Sequence, residues 1–129
     1  MYTNMTTNLM VESVDKAINF YRDILDFTVL VSVPDENDLQ FAILSKDGLS
    51  LMLEKRSVLI GEYPVLNTEK VRPSVSLYIM VDNFMELYEE LKSRHPIYVE
   101  LHTSPYGAKE FALTDVDGYV LTFTENKDI

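Results

Sequence analysis

The chain contains no cysteine. That excludes disulfides, thiolate nucleophiles and zinc-thiolate sites. Glycine is scarce, four in 129 residues, too few for a glycine-rich loop that cradles phosphate. No serine sits in a nucleophile-elbow context. No apolar run approaches the ~18 residues that cross a bilayer, so no membrane partner is expected. The opening Met1-Tyr2-Thr3-Asn4 is not a basic stretch followed by an apolar core, so no signal peptide is expected. A cytoplasmic location is the default expectation. Basic residues are few: 11 against 21 acidic ones, for a net charge of −10. Such a chain repels phosphate backbones, so nucleic acid is not an expected partner. The same charge favours a cationic ligand.

What is present is an ordinary globular composition, 47% apolar and 25% charged, enough for one compact domain with its own core. The informative feature is a duplication. The run from Pro105 to Asn126 contains Phe111-Ala112-Leu113, a tight turn at Asp117-Gly118, and Leu121. Seventy residues earlier stand Phe41-Ala42-Ile43, Asp47-Gly48 and Leu51. Asp-Gly between alternating apolar runs signals a hairpin. Val11/Val81 and Ser13/Asn83 keep the same offset, and a fixed internal period marks a repeat.

Taken in order, residues 5–11 alternate as a strand and Ser13 offers an N-cap. Val14, Ala17, Ile18, Tyr21, Ile24 and Leu25 recur at helical spacing. Residues 27–33 are β-branched and strand-like. Pro34 to Asp38 reads as a turn, followed by a hairpin of 39–45 with 49–55. Residues 56–73 hold Gly61, Pro64 and Pro73 without a clean period and read as a linker. The pattern then restarts. It gives a strand to Val81, an N-cap at Asn83, a helix over 84–94 stopped by Pro96, a short strand over 97–101, and the final hairpin. The fold class expected is α+β: two βαβββ modules, residues 5–55 and 74–126, within a single domain spanning 1–129.

The paired modules, with Phe20-Tyr21 in the first helix and Asp-Gly in each last hairpin, resemble the vicinal oxygen chelate superfamily. Its members include glyoxalase I, extradiol dioxygenases, fosfomycin-resistance enzymes and bleomycin-resistance proteins. Pro105-Tyr106-Gly107, Glu110-Phe111-Ala112-Leu113, Asp115, Gly118, Phe123 and Glu125 are most similar to the bleomycin-resistance branch. The resemblance implies a cupped mixed sheet, helices on one side, and a ligand cleft on the other. Strand alternation then assigns faces. Leu9, Val11, Leu51, Leu53, Leu77, Ile79, Leu121 and Phe123 should pack on the helices. The expected cleft residues are Thr6, Asn8, Met10, Met52, Glu54, Ser76, Tyr78, Met80, Glu110 and Thr122, with Ser50, Val120 and Thr124 on the same face.

Carried over by register, the four metal-ligand positions of the superfamily's enzymes are Thr6, Met52, Ser76 and Thr122. Hydroxyls and a thioether are not the imidazole, carboxylate or thiolate that divalent metals need. A shift of one residue gives Thr7, Leu53, Leu77 and Phe123. A shift of two gives Asn8, Glu54, Tyr78 and Thr124, with one carboxylate. His95, after a helix C-terminus, and His102, near the sixth strand, read as surface residues. No metal, no cofactor and no catalytic residue is therefore expected. The first reading is a metal-free binding protein that sequesters a small cationic or planar compound, for example an antibiotic. The resemblance also implies a homodimer. A metal-dependent glyoxalase-like or dioxygenase-like enzyme, and a ligand-free interaction module, are the alternatives.

Overall fold

The computed structural model describes residues 1–34 and 38–127. The turn expected at Pro34–Asp38 therefore lies mostly outside the described residues. The backbone divides into two units, Met1–Arg72 and Pro73–Ile129.

The first unit runs β1 (Thr7–Val11), α1 (Val14–Asp23), β2 (Thr28–Val33), β3 (Phe41–Lys46), β4 (Leu49–Lys55) and α2 (Arg56–Glu62), then a 3-10 turn at Pro64–Leu66. Its sheet order is β1-β4-β3-β2. Strand β1 pairs parallel with β4, and β2, β3 and β4 are antiparallel. Ser13 caps α1, its Oγ accepting from the Lys16 amide at 3.2 Å. Val14, Ala17, Ile18 and Tyr21 form the buried stripe of α1. With Leu9, Val11, Ala42, Leu44, Leu51 and Leu53 they make the core of this unit.

The second unit repeats the plan with β5 (Ser76–Val81), α3 (Phe84–Arg94), β6 (Val99–Thr103), β7 (Lys109–Thr114) and β8 (Val120–Glu125). Its order is β5-β8-β7-β6. Phe111 is wholly buried and meets the rings of Phe84, Tyr88 and Phe123 at 5.4, 5.0 and 5.2 Å. Such ring pairs add to plain burial. Architecture and faces follow expectation: two mixed four-stranded sheets with helices, an α+β fold. No described helix is long and apolar enough to cross a membrane.

Several local readings are corrected. The linker carries α2, whose seven residues are too short to display a helical period. Leu59 is its buried anchor. Arg56 Nη1 donates to the Thr68 carbonyl at 2.9 Å, and the Val71 amide to Glu12 Oε1 at 2.6 Å, so this segment belongs with the first unit. Asn83 adopts a left-handed φ of 53° and makes no side-chain cap. The sixth strand starts at Val99 rather than Ile97.

The largest correction concerns the repeat itself. Lys46 pairs with Leu49 across a two-residue turn, Asp47-Gly48, in which both φ values are positive, as a type I′ turn requires. In the second unit Thr114 pairs with Val120, so the turn is a five-residue loop rather than a tight Asp117-Gly118 turn. Asp115 organises it. Its Oδ1 accepts from the amides of Asp117 and Tyr119, both at 3.0 Å. Leu44 faces Leu51, whereas Leu113 faces Leu121, seven and eight residues apart, so the second hairpin is one residue longer. The offset is therefore 70 on β4/β8 but 69 on β3/β7. Phe111 corresponds to Ala42, not to Phe41. One residue of slip reverses every face of a strand: Phe41 lies on the face away from the helix, and Phe111 on the face toward it.

Candidate functional site

On each sheet, the face opposite the helix is built from cross-strand rows. In the first unit the rows are Met10–Glu54–Phe41–Val33 and Asn8–Met52–Ile43–Val31. In the second they are Met80–Thr124–Glu110–His102 and Tyr78–Thr122–Ala112–Val99. The rows correspond strand for strand. Asn8, Met10, Met52, Glu54, Tyr78, Met80, Glu110 and Thr122 lie in them. Ser76 lies on the same face of β5, opposite Val120. Thr6 precedes β1, and its Oγ1 accepts from Asn4 Nδ2 at 3.2 Å.

In the first unit Glu54 is only 6% exposed. Asn8 Nδ2 donates to its Oε1 at 2.9 Å. Glu62, at the end of α2, shares a hydrogen bond with Glu54. That bond, then burial, then repulsion between the two carboxylates push the Glu62 carboxyl above the ordinary glutamate range. The walls around this acidic pair are apolar: Met10, Phe41, Ile43 and Met52 are all half-buried.

In the second unit the Tyr78 hydroxyl donates to Glu110 Oε2 at 2.6 Å. The other carboxylate oxygen, Oε1, lies 3.6 Å from Nε2 of His102. Tyr78 starts on β5 and Glu110 on β7, so the phenol crosses β8. Thr124 of β8 is buried and donates to the Lys109 carbonyl at 3.2 Å. Tyr78 is nevertheless 58% exposed and Met80 59%, leaving a flat ring and a polarisable thioether open to solvent.

Face members not foreseen include Phe41, Ile43 and His102, and Glu62 of α2 joins them through Glu54. Phe41 was hidden by the unequal hairpins. His102 was hidden by a register irregularity between Val99 and His102, and pairing with Glu110 was the signal that could have found it. His95, by contrast, closes α3: its amide donates to the Leu91 carbonyl at 2.9 Å, and its Nε2 lies 3.2 Å from the Thr114 carbonyl. On the far side of the second sheet the Tyr88 hydroxyl donates to Glu100 Oε2 at 2.9 Å. That bond chiefly, with burial and the Glu100 charge, raises the phenol above its usual range, while Lys92 pulls it down.

The four positions expected to hold a metal in related enzymes do not fit one. Thr6, Met52, Ser76 and Thr122 supply hydroxyls and a thioether, donors ill matched to divalent transition metals. Strand pairing sets Asn8 beside Met52 and Tyr78 beside Thr122, so the nearest neighbours add an amide and a phenol. Among the described residues no three His, Asp or Glu side chains converge as a metal site would need. A cleft of about 420 Å³ lies elsewhere, at the start of α3, lined by Asp82, Phe84, Glu86, Glu125 and Asn126 among others. It shares none of the face residues above.

Solved structures of the same fold are numerous. The chain is similar to a glyoxalase/bleomycin resistance protein/dioxygenase from Nocardioides, with a TM-score of 0.78, 17% identity, and coverage of 97% of this chain and 84% of that one. It is similar to a glyoxalase-related enzyme from Fulvimarina pelagi, with a TM-score of 0.76, 18% identity, and coverage of 98% and 89%. It is also similar to lactoylglutathione lyase from Agrobacterium tumefaciens, with a TM-score of 0.69, 16% identity, and coverage of 96% and 93%. At such identities the likeness concerns the fold. No curated protein matches the chain. The family profile matches residues 4–123, nearly the whole length, and the chain belongs to the Glyoxalase/Bleomycin resistance protein/Dioxygenase superfamily.

Proposed function

We propose that this protein binds a small planar, cationic organic compound, without a metal, on the sheet faces opposite its helices. The observation that carries this is the Tyr78 ring, more than half exposed yet anchored through its hydroxyl on Glu110. An aromatic ring that is open to solvent and held in one place is a stacking platform. A carboxylate within reach gives a positive charge somewhere to settle. Met80, exposed on the same strand face, adds a polarisable thioether that suits an irregular apolar body. The net charge of −10 raises the local concentration of cations. Sequestration of an antibiotic of that shape is the role we favour.

A thermal-shift screen of planar and cationic antibiotics tests the reading, with calorimetry on every hit. Tyr78→Ala should weaken a hit by roughly 0.5–2 kcal/mol. Glu110→Gln should weaken it chiefly at low salt, because screening at 0.15 M acts over about 8 Å. If no compound binds, or if both variants bind like the parent chain, the reading fails. We also propose a symmetric homodimer. Strands β2 and β6 are sheet edges, and Leu30 on β2 is exposed, which is surface that proteins tend to cover. Light scattering at micromolar concentration should give the dimer mass, and a monomer mass would contradict it.

A further inference from the structure

His102 is an unassigned member of the second-unit face, and its two ring nitrogens have different surroundings. Nδ1 lies 2.9 Å from the Glu100 carbonyl. A carbonyl only accepts, so Nδ1 must carry a hydrogen. In the neutral ring Nε2 then presents its lone pair to the Glu110 carboxylate at 3.6 Å. Two acceptors face one another, and the contact becomes attractive only when the ring takes a second proton. The imidazolium then occupies the side of Glu110 that Tyr78 leaves open.

We propose that His102 is a specificity-determining residue that competes with a cationic ligand for Glu110 and so makes cation binding pH-dependent. The inference rests on the ligand-binding role proposed above and adds its regulation. With His102 protonated, Glu110 is already neutralised, and the Tyr78 platform takes flat rings without regard to charge. With His102 neutral, Glu110 keeps one oxygen on the Tyr78 hydroxyl and turns the other toward incoming positive charge. The charged groups around the imidazole are consistent with this. On β7, Glu110 faces it, while Lys109 pairs with Thr103. On β6, the Glu100 side chain is engaged by the Tyr88 hydroxyl. From β5 Tyr78 reaches this carboxylate, and the β8 residue in the same row is the uncharged Thr124. The imidazole is 45% exposed and the Glu110 side chain 15%, so a ligand can reach the pair.

The test uses the whole chain and N-methylacridinium, a planar permanent cation, at low ionic strength. Binding should tighten about threefold from pH 5.5 to pH 8.0, a scale set by a partly exposed ion pair. His102→Asn should bind at every pH as the parent does at pH 8.0. Glu110→Gln should bind weakly at both. Acridine, uncharged at pH 8.0, should bind the parent chain and Glu110→Gln alike at that pH. Nitrogen-15 spectra of the ring at high pH should show the hydrogen on Nδ1, a readout that needs no ligand. The inference is overturned if the probe binds with no pH dependence, if the dependence survives in His102→Asn, or if the neutral ring carries its hydrogen on Nε2. In those cases the binding role itself stands. If neither acridine nor its cation binds, and the antibiotic screen is also empty, both fall together.

Discussion

Phe111 and Phe41 stand 70 residues apart and look like the same residue in two copies, yet removing them should have very different costs. Phe111 is wholly buried and touches three aromatic rings. Phe→Ala in such a site costs roughly 3–5 kcal/mol, the transfer of the ring plus the cavity left behind. The stacked contact with Phe123, at 18° between planes, the tilted one with Phe84 and the edge-to-face one with Tyr88 add about 0.5–1.5 kcal/mol each beyond area. We therefore expect the upper end of that range, about 5 kcal/mol. Phe41 sits on the opposite face, half-buried, between Glu54 and Val33. Half the burial of such a side chain is worth about 1 kcal/mol, and the open side leaves no closed cavity. Urea titration followed by far-UV circular dichroism gives both values. Phe111→Leu keeps most of the volume and remains measurable if the alanine variant does not fold. Equal costs at 41 and 111, or a larger one at 41, would refute the one-residue slip between the two hairpins and the face assignment built on it.

Three further outcomes are expected. The purified protein should hold no stoichiometric transition metal by elemental analysis, and chelator should leave its melting temperature unchanged, because Thr6, Met52, Ser76 and Thr122 are poor donors. Glu62→Gln should stabilise the chain more at pH 7 than at pH 4. The Glu62 carboxyl is raised in the fold by Glu54, so its contribution is fully present below the ordinary glutamate range and is lost as pH rises through the raised value; melting curves of both chains across that window give the sign. Asp115→Ala should cost roughly 1–3 kcal/mol by chemical denaturation, since it strands the buried amide of Tyr119, while Asp115→Asn, which keeps an acceptor oxygen, should cost less.

Much of the fold was legible because hydrophobic periodicity carries it. The strand of Leu49–Lys55 and the helix of Phe84–Arg94 were placed to the residue, since Leu51 and Leu53 alternate cleanly and Pro96 closes the helix. Ser13 announced its own cap. What stayed hidden depended on lengths and on contacts across strands. The helix Arg56–Glu62 is too short for a period. A constant offset between Asp47-Gly48 and Asp117-Gly118 suggested identical turns, but Asp115 hydrogen-bonds a five-residue loop where the first hairpin has two residues. That shift breaks the equivalence of Phe41 and Phe111, which lie on opposite faces of their sheets. The face residues Asn8, Glu54, Tyr78 and Glu110 followed from alternation alone. Their pairing did not, because alternation names a face and says nothing of which neighbours touch. His102, read as a surface residue near the sixth strand, is exposed there, but its contact with Glu110 was not legible for the same reason.

The pairing shows how a duplicated scaffold can diverge. Asn8 and Tyr78 occupy equivalent positions on β1 and β5, and each donates to a carboxylate on its own sheet. In the first unit the carboxylate, Glu54, is on the adjacent strand β4, and a short amide reaches it. In the second the equivalent of Glu54 is Thr124, and the carboxylate has moved one strand further, to Glu110 on β7. With strands about 4.8 Å apart, an asparagine at position 78 could not span two of them, whereas a tyrosine can. Donor length and acceptor distance therefore change together, and the carboxylate-to-donor bond is kept. The longer donor brings an exposed ring with it, so one unit presents a buried acid, Glu54, among apolar side chains and the other a stacking surface beside a partly exposed acid, Glu110. Exchanging the donors would test that dependence. Tyr78→Asn should free Glu110 and abolish any stacking, while Asn8→Tyr should leave Glu54 without its donor, because the ring overshoots the adjacent strand.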